Sequence, residues 1–319
     1  MLLIGPQTVT ETGPRHPDRP AARVDPPPPA LVRAVVSAGQ VAADAEWTGL
    51  TGGRTNRLWR VGQGAQARVV KLYTAAAATP LFANDPVAEA LVLRALRGRG
   101  LAPDPVHQAQ TEDGFCLIYT HQDGLPWRSC PAPVAQVLKD LHGLPVTGGR
   151  TGLPLAPDGS EALAAQTLAI LDQIPPDRAA PLHALCPEGQ VLPSGCRSLL
   201  HGDPVPDNLV CPPGQPEARP ILIDWQCPAL GDPVLDLALF LSPAMQQVTR
   251  GAALSSQERR AFLDAYADTE TETRLNRLTP WLNWRMAAYC LWKITRPTPD
   301  PAYAAALVLE CAALGGRAP

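Results

Sequence analysis

The chain has 319 residues, which is long for a single core and predicts one two-lobed unit or two small domains. Apolar residues make up 45% and charged residues 18%, as in an ordinary globular protein. The net charge of −3, with no basic run interleaved with aromatic residues, argues against nucleic acid as a partner. No apolar run reaches the ~18 residues of a membrane span and the N-terminus does not read as a secretory signal, so no membrane association and a cytoplasmic location are expected.

The first part of the chain predicts a small sheet. Residues 1–29 end in a proline run and are expected to form a disordered arm. A short helix is predicted over 30–38, followed by three strands within 45–75 that are separated by glycine-containing turns. A helix over 85–97, with Asp85 as its N-cap, and a strand over 115–121 complete an α+β N-lobe of residues 30–122.

The second part, residues 123–319, predicts a larger and mostly helical C-lobe, so the expected fold is α+β and bilobal. Helices are predicted over 132–144, 160–174, 233–248, 256–267, 274–295 and 301–314. Two further segments, "SLLHGDPVPDNLV" (198–210) and "RPILIDWQ" (219–226), each place polar residues after an apolar approach.

These two segments carry the residues suited to chemistry. A short loop and a hairpin would bring Asp224 back beside Asn208, and the two side chains would supply hard oxygen ligands of the kind that Mg²⁺ prefers. Asp203, nearer the start of the loop, would then be left to accept a proton, and phosphoryl transfer needs this set of groups. The alternative is a proline-bearing surface turn, in which Asp and Asn are common.

A lysine upstream favours a phosphoryl-transfer site over a surface turn. Lys71 in "ARVVKLY" points to the opposite side of its strand from Val70 and Leu72. It precedes a helix that carries Glu89, and a strand lysine held by a helix glutamate reaches phosphates in kinase folds. A surface lysine and a solvated helix glutamate are the competing interpretation.

Several motifs in chain order resemble those of the aminoglycoside phosphotransferase/choline kinase family, small-molecule relatives of the protein kinases. The resemblance extends over about residues 45–295 and is nearer to the choline and thiamine kinase members. It is carried by "LTGGRTNRLWRV", "VVKLY", "DPVAEALVLRAL", "LIYTHQDGLPW", "LKDLHGLP", "LLHGDPVPDNLV", "LIDWQ" and "GDPVLDLALFL". It implies a bilobal kinase-like fold, ATP and Mg²⁺ as cofactors, and a small-molecule acceptor.

The resemblance also implies roles for individual residues. Asp203 would be the catalytic base, Asn208 and Asp224 the Mg²⁺ ligands, and Lys71, positioned by Glu89, a phosphate ligand. His201 and Asp236 would support the catalytic loop. The remaining nucleotide contacts would come from a turn over the nucleotide and from backbone groups near the adenine: Gly52, Gly53, Thr55, Asn56, Thr120 and Gln122.

Two positions depart from the family's pattern without removing a catalytic group. Gln226 stands where many relatives carry Glu, and Thr120 replaces a common acidic residue. Because no catalytic group is removed, a kinase is favoured over the alternative, a non-catalytic nucleotide-binding protein. A protein kinase is a further one, although no activation segment with an A-P-E-like end is visible between Asp224 and Asp232.

The acceptor is left open by the sequence, as is the oligomeric state. The aromatic stripe of Trp281, Trp284 and Trp292 predicts core packing or, alternatively, a box for a cationic acceptor such as choline, ethanolamine or thiamine. An aminoglycoside would favour a carboxylate-lined cleft, and a sugar or homoserine is a further possibility. Acidic residues that could serve an aminoglycoside, or simply a solvated helix end, are Asp264, Asp268, Glu270 and Glu272.

Overall fold

The computed structural model describes residues 25–50, 56–73, 79–146 and 152–315. Its N-terminal part contains an antiparallel sheet with the strand order β1-β2-β3-β5-β4. The strands are β1 (Trp47–Gly49), β2 (Arg57–Val61), β3 (Arg68–Leu72), β4 (Pro105–Thr111) and β5 (Gly114–Thr120). The sequence does not predict the polar strand β4, because "PVHQAQT" has only two β-branched residues, Val106 and Thr111, and otherwise consists mostly of polar residues.

Both faces of this sheet are covered by apolar contacts. Helix α1 (Pro29–Ser37) places Leu31 in a buried cluster with Val70. On the other face, helix α2 (Pro86–Leu96) packs into a cluster with Val69. The predicted N-cap is confirmed, since the Asp85 carboxylate accepts hydrogen bonds from two backbone amides of the first turn of α2. A side chain on the α2 face of β3 is therefore buried.

The chain before α1 is partly described. Asp25 and Pro26 accept hydrogen bonds through their carbonyl groups from the side chains of Trp59 and Arg57, so this stretch lies against β2. Residues 1–24 of the predicted arm lie outside the described residues. The lobe boundaries at 30–122 and 123–319 stay predictions.

The C-terminal part is mainly helical and confirms the predicted bilobal α+β architecture. Its described helices are α3 (Pro131–His142), α4 (Gly159–Leu171), α5 (Pro176–His183), α6 (Val234–Leu241), α7 (Pro243–Arg250), α8 (Ser256–Tyr266), α9 (Thr269–Thr295) and α10 (Ala302–Ala313). Short antiparallel strands form two further small sheets: β6 (Leu125–Pro126), β8 (Leu209–Cys211) and β9 (Ile221–Leu222) in one, and β7 (Ser198–Leu200) with β10 (Ala229–Gly231) in the other.

Some helix predictions need correction. The helix expected over 233–248 is two helices, because the chain turns out of helical geometry at Ser242, whose hydroxyl caps α7 by accepting from the Met245 amide. Helix α9 begins at Thr269 rather than at 274, because the Asp268 carboxylate caps it. Within the described ranges, no helix combines the length and the hydropathy that crossing a bilayer requires.

Candidate active site

Lys71 of β3 forms a buried ion pair with Glu89 of α2. Lys71 Nζ lies 2.7 Å from Glu89 Oε2, and both side chains are essentially inaccessible to solvent. The Tyr73 hydroxyl donates a hydrogen bond to the same carboxylate oxygen. The pairing expected from the sequence is therefore present, and Tyr73 is a supporting donor that sequence reasoning missed.

A second carboxylate reaches the same ammonium from the C-terminal part. Asp224 Oδ1 lies 2.5 Å from Lys71 Nζ, and its side chain is 25% exposed. Asp224 has a φ of 62°, a left-handed conformation that is uncommon for a non-glycine residue. Burial alone would lower the pKa of Lys71, but the carboxylates of Asp224 and Glu89 reverse this effect and raise it. Lys71 is therefore held in its charged form.

The loop that follows β7 is anchored by a fully buried carboxylate. Asp236 of α6 accepts hydrogen bonds from the backbone amides of His201 and Gly202 at 2.8 and 2.9 Å, and the ring of His142 lies 3.1 Å away. Burial alone would raise the pKa of Asp236, but the hydrogen bond from His142 and the nearby histidines hold it below its usual value. Asp236 thus supports the loop in the way that the sequence predicts, and His142 is a further support that was missed.

His201 fixes the next turn of the loop. The Asp203 amide donates to His201 Nδ1 at 3.2 Å, which leaves Nε2 to donate to the Ile223 carbonyl at 3.0 Å. The ring also packs at 4.4 Å from that of Trp225. Burial lowers the pKa of His201, so the ring is neutral at neutral pH and links the loop to the segment before Asp224.

Asn208 connects Asp203 to the hairpin expected from the sequence. Its amide Nδ2 donates to the Asp203 carbonyl and to Asp203 Oδ2, at 2.9 and 3.1 Å. The Ile223 amide donates to the Asn208 carbonyl where β8 pairs with β9. This pairing brings Asp224 beside Asn208, as the spacing predicted. Asp207 lies outside the cluster, exposed and paired with Arg128.

The oxygen donors in this cluster fit Mg²⁺. Because Asn208 Nδ2 is bonded to Asp203, the amide oxygen of Asn208 is left as a ligand, beside the carboxylate of Asp224. No group of three or more His, Cys, Asp or Glu side chains that could hold a metal occurs among the described residues. A two-residue oxygen set is nevertheless sufficient for Mg²⁺, which keeps several waters and shares substrate phosphates.

The predicted nucleotide contacts are only partly described. Gly52, Gly53 and Thr55 lie outside the described residues. Asn56 is buried, and its Nδ2 donates to Asn84 Oδ1 and Gln226 Oε1 at 2.8 and 2.9 Å. The side chain that departs from the family's pattern, Gln226, is therefore bonded to the end of the predicted nucleotide turn. Asn84 was not predicted as a part of this site.

The segment predicted to hold the adenine follows β5. The Thr120 amide donates to the Asp104 carbonyl at 2.9 Å and so is already used in this conformation. Gln122 Nε2 donates to Thr120 Oγ1 at 3.0 Å. A backbone contact from Gln122 stays a prediction.

The tryptophan stripe packs mainly in the core. Trp281 and Trp284 are 6% and 0% exposed, and the indole of Trp284 donates to the Leu182 carbonyl. Trp292 is partly exposed, but it stacks on Tyr289, and the guanidinium of Arg296 lies 5.0 Å from its ring centroid.

The acidic residues of the last third have local partners. Arg260 pairs with both Asp264 and Glu272, and Asp268 caps α9. Together with Glu270 in the first turn of α9, they resemble a solvated helix end more than a substrate cleft.

A cavity of about 450 Å³ lies beside the loop that carries Asp203. The cavity is lined by Gly202 of that loop, by Cys227 and Asp236, and by Gln166 of α4 and Arg285 of α9. Gly202 has a φ of 81°, and a Cβ added to it would lie 2.0 Å from the Cys227 carbonyl oxygen, so only glycine fits here. Sequence reasoning missed this cavity and Arg285, although a single arginine within "WLNWRMAAYCLW" is a possible signal.

Solved structures share this architecture at low sequence identity. An ethanolamine kinase of Plasmodium vivax is 14% identical with a TM-score of 0.60, and the match covers 89% of this chain and 87% of that one. The choline kinase LicA of Streptococcus pneumoniae is 16% identical with a TM-score of 0.59, over 89% and 98% of the two chains. A thermostable mutant of aminoglycoside phosphotransferase APH(4)-Ia, solved with AMP-PNP and hygromycin B, is also 16% identical with a TM-score of 0.59. This match covers 89% of this chain and 97% of that one.

These similarities show a kinase-like fold. The sequence model of the phosphotransferase enzyme family (APH) matches residues 46–277, so the chain belongs to this family. No curated protein sequence gives a significant match.

Proposed function

We propose that the protein transfers the γ-phosphoryl group of ATP to a hydroxyl group of a small molecule, with Mg²⁺ as cofactor. The observation that carries the proposal is the convergence of a buried lysine, two metal-type oxygen donors and a further carboxylate. They are Lys71, Asn208 with Asp224, and Asp203. Phosphoryl transfer depends mainly on positioning and on neutralising phosphate charge, and these groups are suited to both.

In this mechanism Asp203 accepts the proton of the acceptor hydroxyl while the hydroxyl oxygen bonds to the γ-phosphorus. The bond from that phosphorus to its bridging oxygen breaks, and ADP leaves with the electron pair. Asn208 orients Asp203 through its amide group, and Lys71 donates hydrogen bonds to phosphate oxygens. Asn208 and Asp224 would hold Mg²⁺, which supplies neutralisation of phosphate charge when bound.

The proposed acceptor is a small molecule that carries a hydroxyl group. The named structural neighbours include kinases of ethanolamine and choline, which favours a cationic alcohol such as these or thiamine. Against this, Trp281 and Trp284 are buried in the core, and no tryptophan lines the described cavity beside the catalytic loop. An aminoglycoside, a sugar or homoserine therefore stays among the candidate acceptors.

The test is an Asp203→Asn substitution, followed by transfer from ATP to a panel of these acceptors. Loss of the base is expected to lower kcat by about 10²- to 10⁴-fold and to leave Mg·ATP affinity unchanged. Asp207→Asn is the matched control, because this exposed residue lies four positions further on and contacts Arg128.

Three results would count against the proposal. If the Asp203→Asn protein turned over at the wild-type rate, Asp203 would not be the catalytic base. Nucleotide binding without transfer to any acceptor would favour the non-catalytic alternative. A wild-type protein that does not bind Mg·ATP in a calorimetric titration would contradict the proposed function altogether.

A further inference from the structure

Arg285 of α9 is a buried cation among apolar neighbours. It is 5% exposed, and burial lowers its pKa to about 10. The side chain is therefore still charged at neutral pH. A buried charge is unfavourable unless it is paired or fully hydrogen-bonded.

The guanidinium of Arg285 has few partners within the protein. Its one hydrogen bond in the described ranges runs from Nη1 to Gln166 Oε1, at 2.9 Å. Nε has no acceptor, and no carboxylate of the described residues forms an ion pair with this side chain. Glu310 of α10 lines a small pocket together with Arg285, but its Oε1 accepts from the Ser242 hydroxyl and from the Ala244 amide instead. Most of the donor capacity of Arg285 is thus unused by the described chain.

Arg285 lies at the cavity beside the catalytic loop. The cavity is lined mostly by apolar and backbone groups, and it also contacts Gly202, the residue before Asp203. Its acidic wall residue, Asp236, already accepts hydrogen bonds from His201, Gly202 and His142. The cavity therefore presents a cation without an ion-pair partner among the described residues, beside the loop that carries the predicted catalytic base.

We infer that Arg285 binds an anionic group of the acceptor, a carboxylate or a phosphate, and that the acceptor is a small hydroxy acid or phosphorylated alcohol. This inference rests on the proposed function and specifies its substrate class. Guanidinium groups bind carboxylate and phosphate through paired hydrogen bonds, and a cationic acceptor would be repelled here. An acceptor held at Arg285 would lie in the same cavity as Gly202, the residue before Asp203, and so beside the loop that carries the predicted base.

The first experiment measures anion binding directly. Thermal unfolding of the whole protein is followed with malonate or inorganic phosphate, against sodium chloride of equal ionic strength. Ligand binding to the folded state raises the unfolding temperature, and we expect this rise in the wild type but not in Arg285→Met. The matched control is Arg277→Met, the same substitution at an exposed position of the same helix.

The variants also separate binding from structural support. Arg285→Met removes an uncompensated buried charge and is expected to unfold, without anions, at the wild-type temperature or above it. Arg285→Lys keeps the charge but loses the paired geometry, so we expect a reduced anion shift. Equal anion shifts in the wild type and Arg285→Met would overturn the inference, as would a large loss of stability in both variants without any anion effect.

The second experiment compares pairs of acceptors in which only one member carries an anionic group: D-glycerate with glycerol, L-homoserine with L-homoserinol, and glucose 6-phosphate with glucose. The wild type is expected to prefer an anionic member at least tenfold in kcat/KM, and the pair that shows the preference separates carboxylate from phosphate. Arg285→Met should abolish the preference and leave the KM for Mg·ATP unchanged.

The outcomes distinguish this inference from the proposed function. Efficient transfer to neutral or cationic alcohols that is insensitive to Arg285→Met would overturn the inference and leave the phosphotransferase intact. A wild type that fails to bind Mg·ATP would contradict the proposed function, while the anion shift would still test Arg285. If no acceptor of the panel is phosphorylated, the rise in unfolding temperature with malonate or phosphate still tests whether Arg285 binds anions.

Discussion

Lys71 is fully buried, which is rare for a lysine side chain. Its ammonium group is fully buried and lies between the carboxylates of Glu89 and Asp224, with the hydroxyl of Tyr73 on the Glu89 side. Removing one member of such a buried pair leaves an uncompensated charge, which is more unfavourable than the loss of an exposed ion pair. The stability of this lobe and the proposed binding of phosphate therefore depend on the same side chain.

Lys71→Met is expected to lower the free energy of unfolding by about 3–5 kcal/mol, because Glu89 is left buried without its cation. Adding Glu89→Gln should restore a part of this loss, and neither variant should transfer phosphate. Urea unfolding measures the difference, with Lys139→Met as the control, since Lys139 is an exposed residue that donates to a single carbonyl. Equal stability of the Lys71→Met and Lys139→Met proteins would contradict the ion-pair argument.

At the scale of elements, α10 is attached to the junction of α6 and α7 by one buried carboxyl group. Glu310 Oε1 accepts from the Ser242 hydroxyl at 2.5 Å and from the Ala244 amide at 3.2 Å, so it occupies the N-terminus of α7. Burial raises the pKa of Glu310 to about 7. The attachment of α10 is therefore sensitive to pH in the neutral range.

The raised pKa makes the contribution of Glu310 favourable at low pH. Its usual pKa is 4.5, so above that value the unfolded chain loses a proton that the folded chain keeps until about pH 7. Stability from this group is thus complete below pH 4.5 and is lost as the pH rises through 7, by about 3 kcal/mol in all. Glu310→Gln cannot ionise, so its stability relative to the wild type should increase between pH 5 and pH 8.

Urea unfolding at the two pH values is the measurement, and Glu188→Gln, at an exposed position, is the control. A constant difference between the Glu310→Gln protein and the wild type would show that the carboxyl group has an ordinary pKa.

Elements with strong local signals were predictable from the sequence. The α2 helix follows an Asp-Pro start, and the β8–β9 hairpin follows from the apolar runs on both sides of Asn208 and Asp224. The break at Ser242–Pro243 was missed because apolar periodicity continues across it, and α5 was missed because Pro181 interrupts its short pattern. Local sequence patterns predict the existence of a helix better than they predict the residue at which it ends, because tertiary packing decides the end.

The candidate site was predictable to the extent that its residues stand in motifs. The proximity of Lys71, Glu89 and Asp224 follows from the order of strands and helix that carry them. Asn84 was not predictable, because it stands in no local pattern and its partner Asn56 is 28 positions away. Arg285 stands out as a single arginine within "WLNWRMAAYCLW", but its contact with Gln166, 119 positions away, was not predictable. Long-range contacts of this kind depend on the packed fold.

At the scale of the whole molecule, polar contacts join the two parts across the predicted nucleotide cleft. Lys71 pairs with Asp224, Asn56 with Gln226, and the Asp85 amide with the Gln226 carbonyl. Asp224 is thus a partner of the lysine as well as a predicted metal ligand. A Mg²⁺ ion with its nucleotide would have to compete with Lys71 for this carboxylate.

Asp224→Asn is therefore expected to affect the two forms of the nucleotide differently. Affinity for Mg·ATP should fall at least tenfold because a charged metal ligand is lost, corresponding to about 1.4 kcal/mol. Affinity for metal-free ATP should be unchanged or higher, because Lys71 loses one of its two carboxylate partners. Isothermal titration with Mg²⁺ and with EDTA measures both values.

Asp177→Asn, at an exposed position of α5, serves as the control for this titration. An equal loss of affinity for both forms of ATP would show that Asp224 maintains the cleft and does not bind the metal.

The contact between Gly202 and Cys227 bears on how the acceptor range could change during evolution. The backbone of Gly202 lies so close to the backbone of Cys227 that no side chain fits at this position. Substitution of Gly202 therefore cannot change the shape of the cavity. Other lining residues of the same cavity are different, because Gln166 and Arg285 contribute long side chains from α4 and α9. If this cavity holds the acceptor, as we propose, new acceptors would be gained by substitutions on these two helices, while the backbone contact at Gly202 would stay unchanged.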